Sequence, residues 1–266
     1  MQDDRNHIAA ARPDTGDTAD ITDNLTHFGF QQVPRAEKAG RVRDVFDAVA
    51  RRYDLMNDVL SVGVHRLWKN SLIDWLNPRP GMALIDVAGG TGDIASRVWQ
   101  RTKGQAAIHV CDINEQMLCA GRRRDPALAA GVNWIAGNAE ALPFADASFD
   151  AYTIAFGIRN VTDIPRALSE ARRVLKPGGR FLCLEFSQVD VPILDSLYAF
   201  HSFKLMPQLG QWVGQNRAAY QYLVESIRQF PAQDEFAAMI AGAGLGQVKY
   251  RNQSGGIAAI HSAWRI

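Results

Sequence analysis

Cysteine is scarce in this chain: three in 266 residues, Cys111, Cys119 and Cys183, with no CxxC pair. That excludes a disulfide framework and a thiolate metal knuckle, and it fits reduced thiols acting as small buried hydrophobes. An excess of one charge is also lacking. Lys and Arg number 29 against 28 Asp and Glu, a formal net charge of +1. A nucleic-acid enzyme usually shows a basic excess or stripe, so this balance speaks against DNA or RNA as partner. No run approaches the roughly 18 apolar residues that a membrane-spanning helix needs. The opening stretch, MQDDRNHIAAARPDTGDTADITDN, has neither the basic start nor the apolar core of a secretory signal. Asp3, Asp4, Asp14, Asp17, Asp20 and Asp23 there face only Arg5 and Arg12, which is too acidic for an organellar transit peptide. Residues 1–24 are therefore expected to form a disordered acidic tail, and the chain to be cytoplasmic. Internal repeats, low-complexity tracts and His/Cys clusters with ligand spacing are missing too, so no metal is expected.

Apolar residues are plentiful at 47%, enough for a large core. Val42, Val45, Phe46, Val49 and Tyr53 fall at helical spacing within 41–54, and a second helix is expected from Val64 to Leu76, stopped by NPRPG at 77–81. These make residues 25–80 an N-terminal helical cap. From Met82 the texture changes. MALIDVA (82–88), AIHVCD (107–112), VNWIAG (132–137), FDAYTIAF (149–156) and RFLCLEFS (180–187) are short strand-like runs, and helical patterns separate most of them. QVKYRNQ and IAAIHSAW close the chain as an antiparallel pair. Strands alternating with helices imply an α/β fold, a doubly wound, seven-stranded, mostly parallel sheet covered on both faces. This domain spans 81–266. A helical insertion at 188–230, rich in Leu, Phe, Met and Trp, interrupts it before the last two strands.

Three segments carry chemistry. Asp86-Val-Ala-Gly89-Gly90-Thr91-Gly92-Asp93 joins a strand to a helix, and its glycines let the backbone turn tightly against a ligand. Gly90-Thr-Gly92-Asp-Ile-Ala95 also satisfies the dinucleotide pattern GxGxx(G/A). Asp112 ends the next strand, 22 residues beyond Gly90, the offset at which an acid can take the hydroxyls of a ribose. Loop and acid together indicate a nucleoside-containing cofactor, either a nicotinamide cofactor or S-adenosylmethionine. The third segment separates them. Asn138-Ala-Glu-Ala-Leu-Pro-Phe144, after the third strand, resembles the adenine-binding turn of class I methyltransferases, and Leu175-Lys-Pro-Gly-Gly179 is a second mark of that class.

GVHRLWKNSLIDW, DVAGGTGD, CDINEQML, NAEALPF, FGIRNVTD and RVLKPGGRFLCLEFS together resemble the UbiE family, the ubiquinone/menaquinone biosynthesis C-methyltransferases. The likeness runs from about Thr26 to the C-terminus and omits the acidic extension. It implies a Rossmann-like class I methyltransferase fold with S-adenosylmethionine as methyl donor. Asp86, Gly90, Thr91, Gly92, Asp112, Asn138 and Ala139 would bind that cofactor. Where the family often has serine this chain has Ala155, so that hydroxyl contact is missing. The implied acceptor is a prenylated quinol: demethylmenaquinol, 2-polyprenyl-6-methoxy-1,4-benzoquinol, or both. The implied reaction is in-line displacement of the sulfonium methyl by a ring carbon. A ring carbon becomes nucleophilic when a ring hydroxyl is deprotonated, which an oxidised quinone cannot offer.

Tyr53, Arg159 and Asn160 are expected to hold the acceptor oxygen, with Arg159 stabilising a phenolate or ordering a water because a guanidinium does not give up its proton. His65 and His201 lie in the cap and the insertion, and Asp54 follows Tyr53. The apolar surface of the insertion suits a prenyl channel, a peripheral contact with the inner membrane, a lid, or a subunit contact. The resemblance leaves room for a homodimer or a quinone-biosynthesis complex. Competing readings are a methyltransferase for another small aromatic or lipid acceptor and a hydride-transferring dehydrogenase, the latter disfavoured by NAEALPF and LKPGG.

Overall fold

The protein is described by a computed structural model over residues 24–49, 63–187 and 217–266. The acidic tail expected at 1–24, except Asn24, lies outside the described residues. So do Tyr53, Asp54, His201 and positions 188–216 of the insertion.

Seven strands form the central sheet: β3 (Ala83–Val87), β4 (Ala107–Asp112), β5 (Asn133–Ala136), β6 (Phe149–Ala155), β7 (Leu175–Phe186), β8 (Gly246–Gln253) and β9 (Ala258–Trp264). Their order is β5-β4-β3-β6-β7-β9-β8. The first five run parallel, and β9 pairs antiparallel with both β7 and β8. Inner strands covered on both faces are apolar almost throughout. In β3, Leu84 packs toward one hydrophobic cluster and Ile85 toward the other. The first cluster is completed by α2 (His65–Leu76) through Trp68 and Leu72, and by α3 (Asp93–Arg101) through Ile94 and Val98. The second is completed by α6 (Ile164–Val174) through Leu168 and by α8 (Gln233–Gly242) through Phe236. Side-chain caps set two of the helix starts. Asn114 accepts from the Gln116 and Met117 amides at the start of α4 (Glu115–Arg124), and Asp163 accepts from the Arg166 amide at the start of α6. A short α5 (Pro126–Gly131) follows α4.

Two expectations need correction. The cap does not begin as helix. Leu25–Phe28 (β1) and Gln31–Pro34 (β2) form an antiparallel hairpin, turned at Gly29 with φ +58°, before α1 (Arg35–Val49). Phe28 finds its partner far away in sequence: its ring stacks on Tyr222 of α7 (Arg217–Gln229) at 4.4 Å. The fifth strand likewise does not begin at Arg180. β7 starts at Leu175, opposite Phe149, and pairing resumes at Arg180 opposite Ala151. The residues between bulge out, with Gly178 at φ +77° bonded to the Arg265 carbonyl.

The order of the strands fixes where a ligand can sit. From β3 the chain crosses to β4 and β5 on one side, then returns to β6 on the other. Connections leaving β3 and β6 therefore part at the carboxyl ends of these strands, which opens a crevice there.

Candidate active site

A cavity of about 130 Å³ fills that crevice. Its floor is the loop after β3, its sides are the ends of β4, β5 and β6, and Val42, Arg43 and Phe46 of α1 lie across it. The loop depends on glycine at Gly92. The φ there is +77°, and a Cβ would lie 2.6 Å from the Trp134 ring, so any side chain is both strained and blocked. Gly90, at φ +54°, aims its amide at the Asp112 carboxylate, 2.9 Å away. The Thr91 carbonyl and hydroxyl are reached by Arg124 at 3.2 and 3.4 Å.

Three acids surround the loop and differ in state. Asp86, at the fourth position of β3, is 1% exposed. Its Oδ1 accepts from the Thr153 hydroxyl at 2.8 Å, while Oδ2 has no partner. Burial pushes its carboxyl up to about 7, against the hydrogen bond from Thr153. Burial would also raise Asp93. Lys69, 2.7 Å away and itself buried, outweighs it together with Arg97 and holds Asp93 at about 2. Asp112 is raised by burial, opposed by the Asn114 and Gly90 amides that it accepts at 2.8 and 2.9 Å. Asn138, after β5, turns its carbonyl oxygen onto the Glu140 amide at 2.9 Å, and Ala139 behind it is buried. Asp86, Gly90, Thr91, Asp112, Asn138, Ala139 and Ala155 thus line one cavity, and Gly92 is not part of its lining.

Asp86 carries a consequence for stability. Its carboxyl moves from 3.8 to about 7 on folding, so the native state holds a proton that the unfolded chain has lost. This term favours the fold fully at low pH and fades as pH rises through about 7, a loss of up to about 4 kcal/mol. Denaturant midpoints of the ligand-free protein between pH 5 and 8 should fall with a slope that Asp86→Asn removes. Equal slopes in the two proteins would show that Asp86 titrates normally.

Arg159 and Asn160 sit in a 3-10 turn just past β6. Over residues 34–265 the chain matches the ubiE/COQ5 methyltransferase family. It belongs to that family. It is similar to the ubiquinone/menaquinone biosynthesis C-methyltransferase UbiE of Cereibacter sphaeroides, with 57% identity over 250 residues that cover 93% of this chain and all of the relative. The UbiE of Paracoccus denitrificans is 58% identical over 243 residues, 91% of this chain and 97% of that one. Among solved structures, a SAM-dependent methyltransferase from Thermotoga maritima shares the fold at a TM-score of 0.59 and 20% identity, over 84% of this chain and 99% of that one.

In this ubiE/COQ5-family chain Arg159 is committed to a partner that the sequence did not suggest. One guanidinium nitrogen bonds Glu185 Oε1 at 2.7 Å and the Phe156 carbonyl at 2.7 Å, while Nε, buried, has no partner. Burial raises the Glu185 carboxyl and Arg159 pulls it back. Asn160 accepts from the Tyr222 hydroxyl at 2.9 Å. His65 is buried at the first position of α2 and does not line the cavity. Lys69, Asp93, Glu185 and Tyr222 were missed. A lone acid inside the apolar run RFLCLEFS was the one signal that could have marked Glu185.

Proposed function

We propose that the protein is an S-adenosylmethionine-dependent C-methyltransferase that methylates a ring carbon of a prenylated quinol in ubiquinone/menaquinone biosynthesis, acting on demethylmenaquinol, 2-polyprenyl-6-methoxy-1,4-benzoquinol, or both. The observation that carries this reading is 57% identity to a UbiE over 93% of the chain. The residues present also fit the cofactor. The orphaned Oδ2 of buried Asp86 is an acceptor waiting for a cationic group, and the remaining lone pairs of Asp112 suit a pair of hydroxyls.

When bound, S-adenosylmethionine supplies an electrophilic methyl group. The chain's own residues do the rest. Asp86 takes the ammonium of the methionine part, Asp112 the ribose hydroxyls, and Asn138 with the Ala139 amide the adenine edge, while Thr91, Gly90 and Gly92 shape the loop. Val42, Phe46 and Phe156 wall the cleft against water. Arg159, held by Glu185, and Asn160, held by Tyr222, stand ready for the acceptor oxygen. Tyr53 belongs to the same proposal. Fixing the two partners in line accounts for much of the rate, since bound geometry is worth roughly 7–11 kcal/mol.

No helix among the described residues is long and apolar enough to cross a membrane. A polyprenyl acceptor lives in the bilayer, so the protein should meet a membrane surface at least transiently, and liposome flotation with substrate present tests this. The deciding assay uses methyl-labelled S-adenosylmethionine with matched reduced and oxidised demethyl-quinones in detergent. Label should enter the ring of the quinol and not of the quinone. Intact cofactor binding with no transfer to any quinol would refute the acceptor assignment.

A further inference from the structure

A second cavity, of about 460 Å³, lies beside the cofactor cleft, beneath the hairpin and between α1 and α7. Val161 and Thr162 line both spaces, so their turn is a common wall. Three cations line the second cavity, Arg35, Lys38 and Arg159, against one carboxylate, Asp163. Arg35 pairs with Asp163 at 2.7 Å, and Arg159 with Glu185 at 2.7 Å. Lys38 has no such partner among the described residues. It is 6% exposed, its Nζ donates to the Val161 carbonyl at 2.9 Å, and no carboxylate among the described residues lies within ion-pair distance. The acid that acts on it most, Glu140, is engaged by the Thr162 amide at 2.9 Å. An ammonium has three protons to donate, and among the described residues one is used.

A buried cation without a counter-ion is costly, and such a group persists where a ligand completes it. Burial accordingly pulls the Lys38 ammonium down to about 8. Tyr222, Phe230, Pro231 and Met239 give the lining an aromatic and apolar side, and Thr26, His27, Ser226 and Gln229 a polar one. Cation and apolar walls together describe a flat aromatic ligand bearing an oxyanion. The transfer chemistry asks for the same thing, because the ring carbon attacks only when its hydroxyl is ionised.

We infer that Lys38 is the counter-ion of the acceptor: the second cavity receives the ionised ring oxygen of a phenol-type ring, and the Lys38 ammonium pairs with it. This rests on the C-methyltransferase reading above. The hydroxyl proton is released to solvent on binding, and Lys38 remains an ammonium throughout. The charged and titratable groups facing the pair are Arg35 on its own helix, His27 of β1, Glu140 after β5, Arg159 and Asp163 around the shared turn, and Tyr222 of α7. Asp163 offsets Arg35 and Glu185 offsets Arg159, so it is the Lys38 ammonium that should let the bound oxygen ionise at lower pH than the free phenol.

The test compares full-length wild type, Lys38→Met and Lys38→Arg, all with S-adenosylmethionine. The binding probe is 4-nitrophenol, whose phenolate absorbs in the visible. Wild type should hold the probe as phenolate at a pH where free probe is protonated, Lys38→Met should lose that shift, and Lys38→Arg should keep most of it. With a demethyl-quinol, Lys38→Met should lose about 10–100-fold in kcat/KM, the worth of one charge-assisted contact. Its pH-rate profile should move to higher pH. Cofactor affinity should stay the same, and the melting temperature should be unchanged or higher, because an unpaired buried charge has gone. An unaltered probe shift and kcat/KM in Lys38→Met would overturn the inference. So would a lower melting temperature with matching loss of cofactor binding, which would make Lys38 a brace of the 158–161 turn. A wild type that shifts the probe through Lys38 yet methylates no quinol would keep the oxyanion site and remove the quinol reading.

Discussion

Glu185→Ala is expected to lower the stability of the protein by about 3–5 kcal/mol, because it strands the Arg159 guanidinium in the interior without its charge partner. The two side chains are 1% and 4% exposed, so solvent cannot replace the missing carboxylate. For a chain of this size the melting temperature should fall by roughly 6–20 °C. Arg159 also contacts the Phe156 carbonyl and lies over the Phe186 ring at 5.5 Å. Loss of Glu185 therefore frees the guanidinium to drift, and a misplacement near 1 Å can cost about 100-fold in rate. The double variant Arg159→Met with Glu185→Leu separates the two effects. Replacing both charges by apolar side chains of similar size is close to neutral for folding, so the melting temperature should recover. Methyl transfer should not. A Glu185→Ala protein melting within about 2 °C of wild type would deny that the pair is buried as described, and a double variant with full turnover would deny Arg159 any part in the reaction.

The contrast between this pair and the cofactor loop shows what a sequence can reveal. The sheet strands were legible because a strand buried on both faces must be a short apolar run, and glycines or acids mark where each one ends. That Asp86, Gly90 and Asp112 line one cavity was legible because its parts are local. Asp86, Gly90 and Asp112 act through turns whose geometry their own residue types dictate. The hairpin was not legible. LTHF and QQVP are four residues each, too short for an alternation to register, and the burial of Phe28 comes from Tyr222. The partners of Arg159, Asn160 and Lys38 were hidden for the same reason. Glu185 lies 26 positions from Arg159, Tyr222 lies 62 from Asn160, and Lys38 lies 123 from Val161. Such pairs exist only once the sheet has brought its carboxyl ends together. A charge in an apolar run says that a partner is needed, but it does not say which.

Asp112→Ala should abolish useful cofactor binding, weakening it by about 100- to 10,000-fold. The carboxylate sits at the last position of β4, 9% exposed, with each oxygen already accepting one backbone amide, Asn114 on Oδ1 and Gly90 on Oδ2. Each oxygen keeps a further lone pair, and two hydroxyls bonded to a charged group are worth about 1.5–3 kcal/mol apiece. The loss has a second source. Asn114, whose amide rests on Asp112, also caps α4 and donates to Asp47 of α1 at 2.7 Å, while Gln116 reaches the same carboxylate at 3.1 Å. One acid therefore steadies the glycine loop, the start of α4 and, through Asn114, the helix that lies across the cleft. Asp112→Asn separates these roles. It keeps one acceptor for an amide and removes the charge, so binding should weaken less than in the alanine variant while the fold holds. Asp47→Ala cuts only the tie to α1 and should mainly speed cofactor release. Calorimetric titration of all three variants, with melting curves as a control, checks the order. Cofactor stabilises wild type by about 2.7 kcal/mol at 100 times its dissociation constant, and that gain should vanish in Asp112→Ala. An affinity within about threefold of wild type would remove Asp112 from the cofactor site.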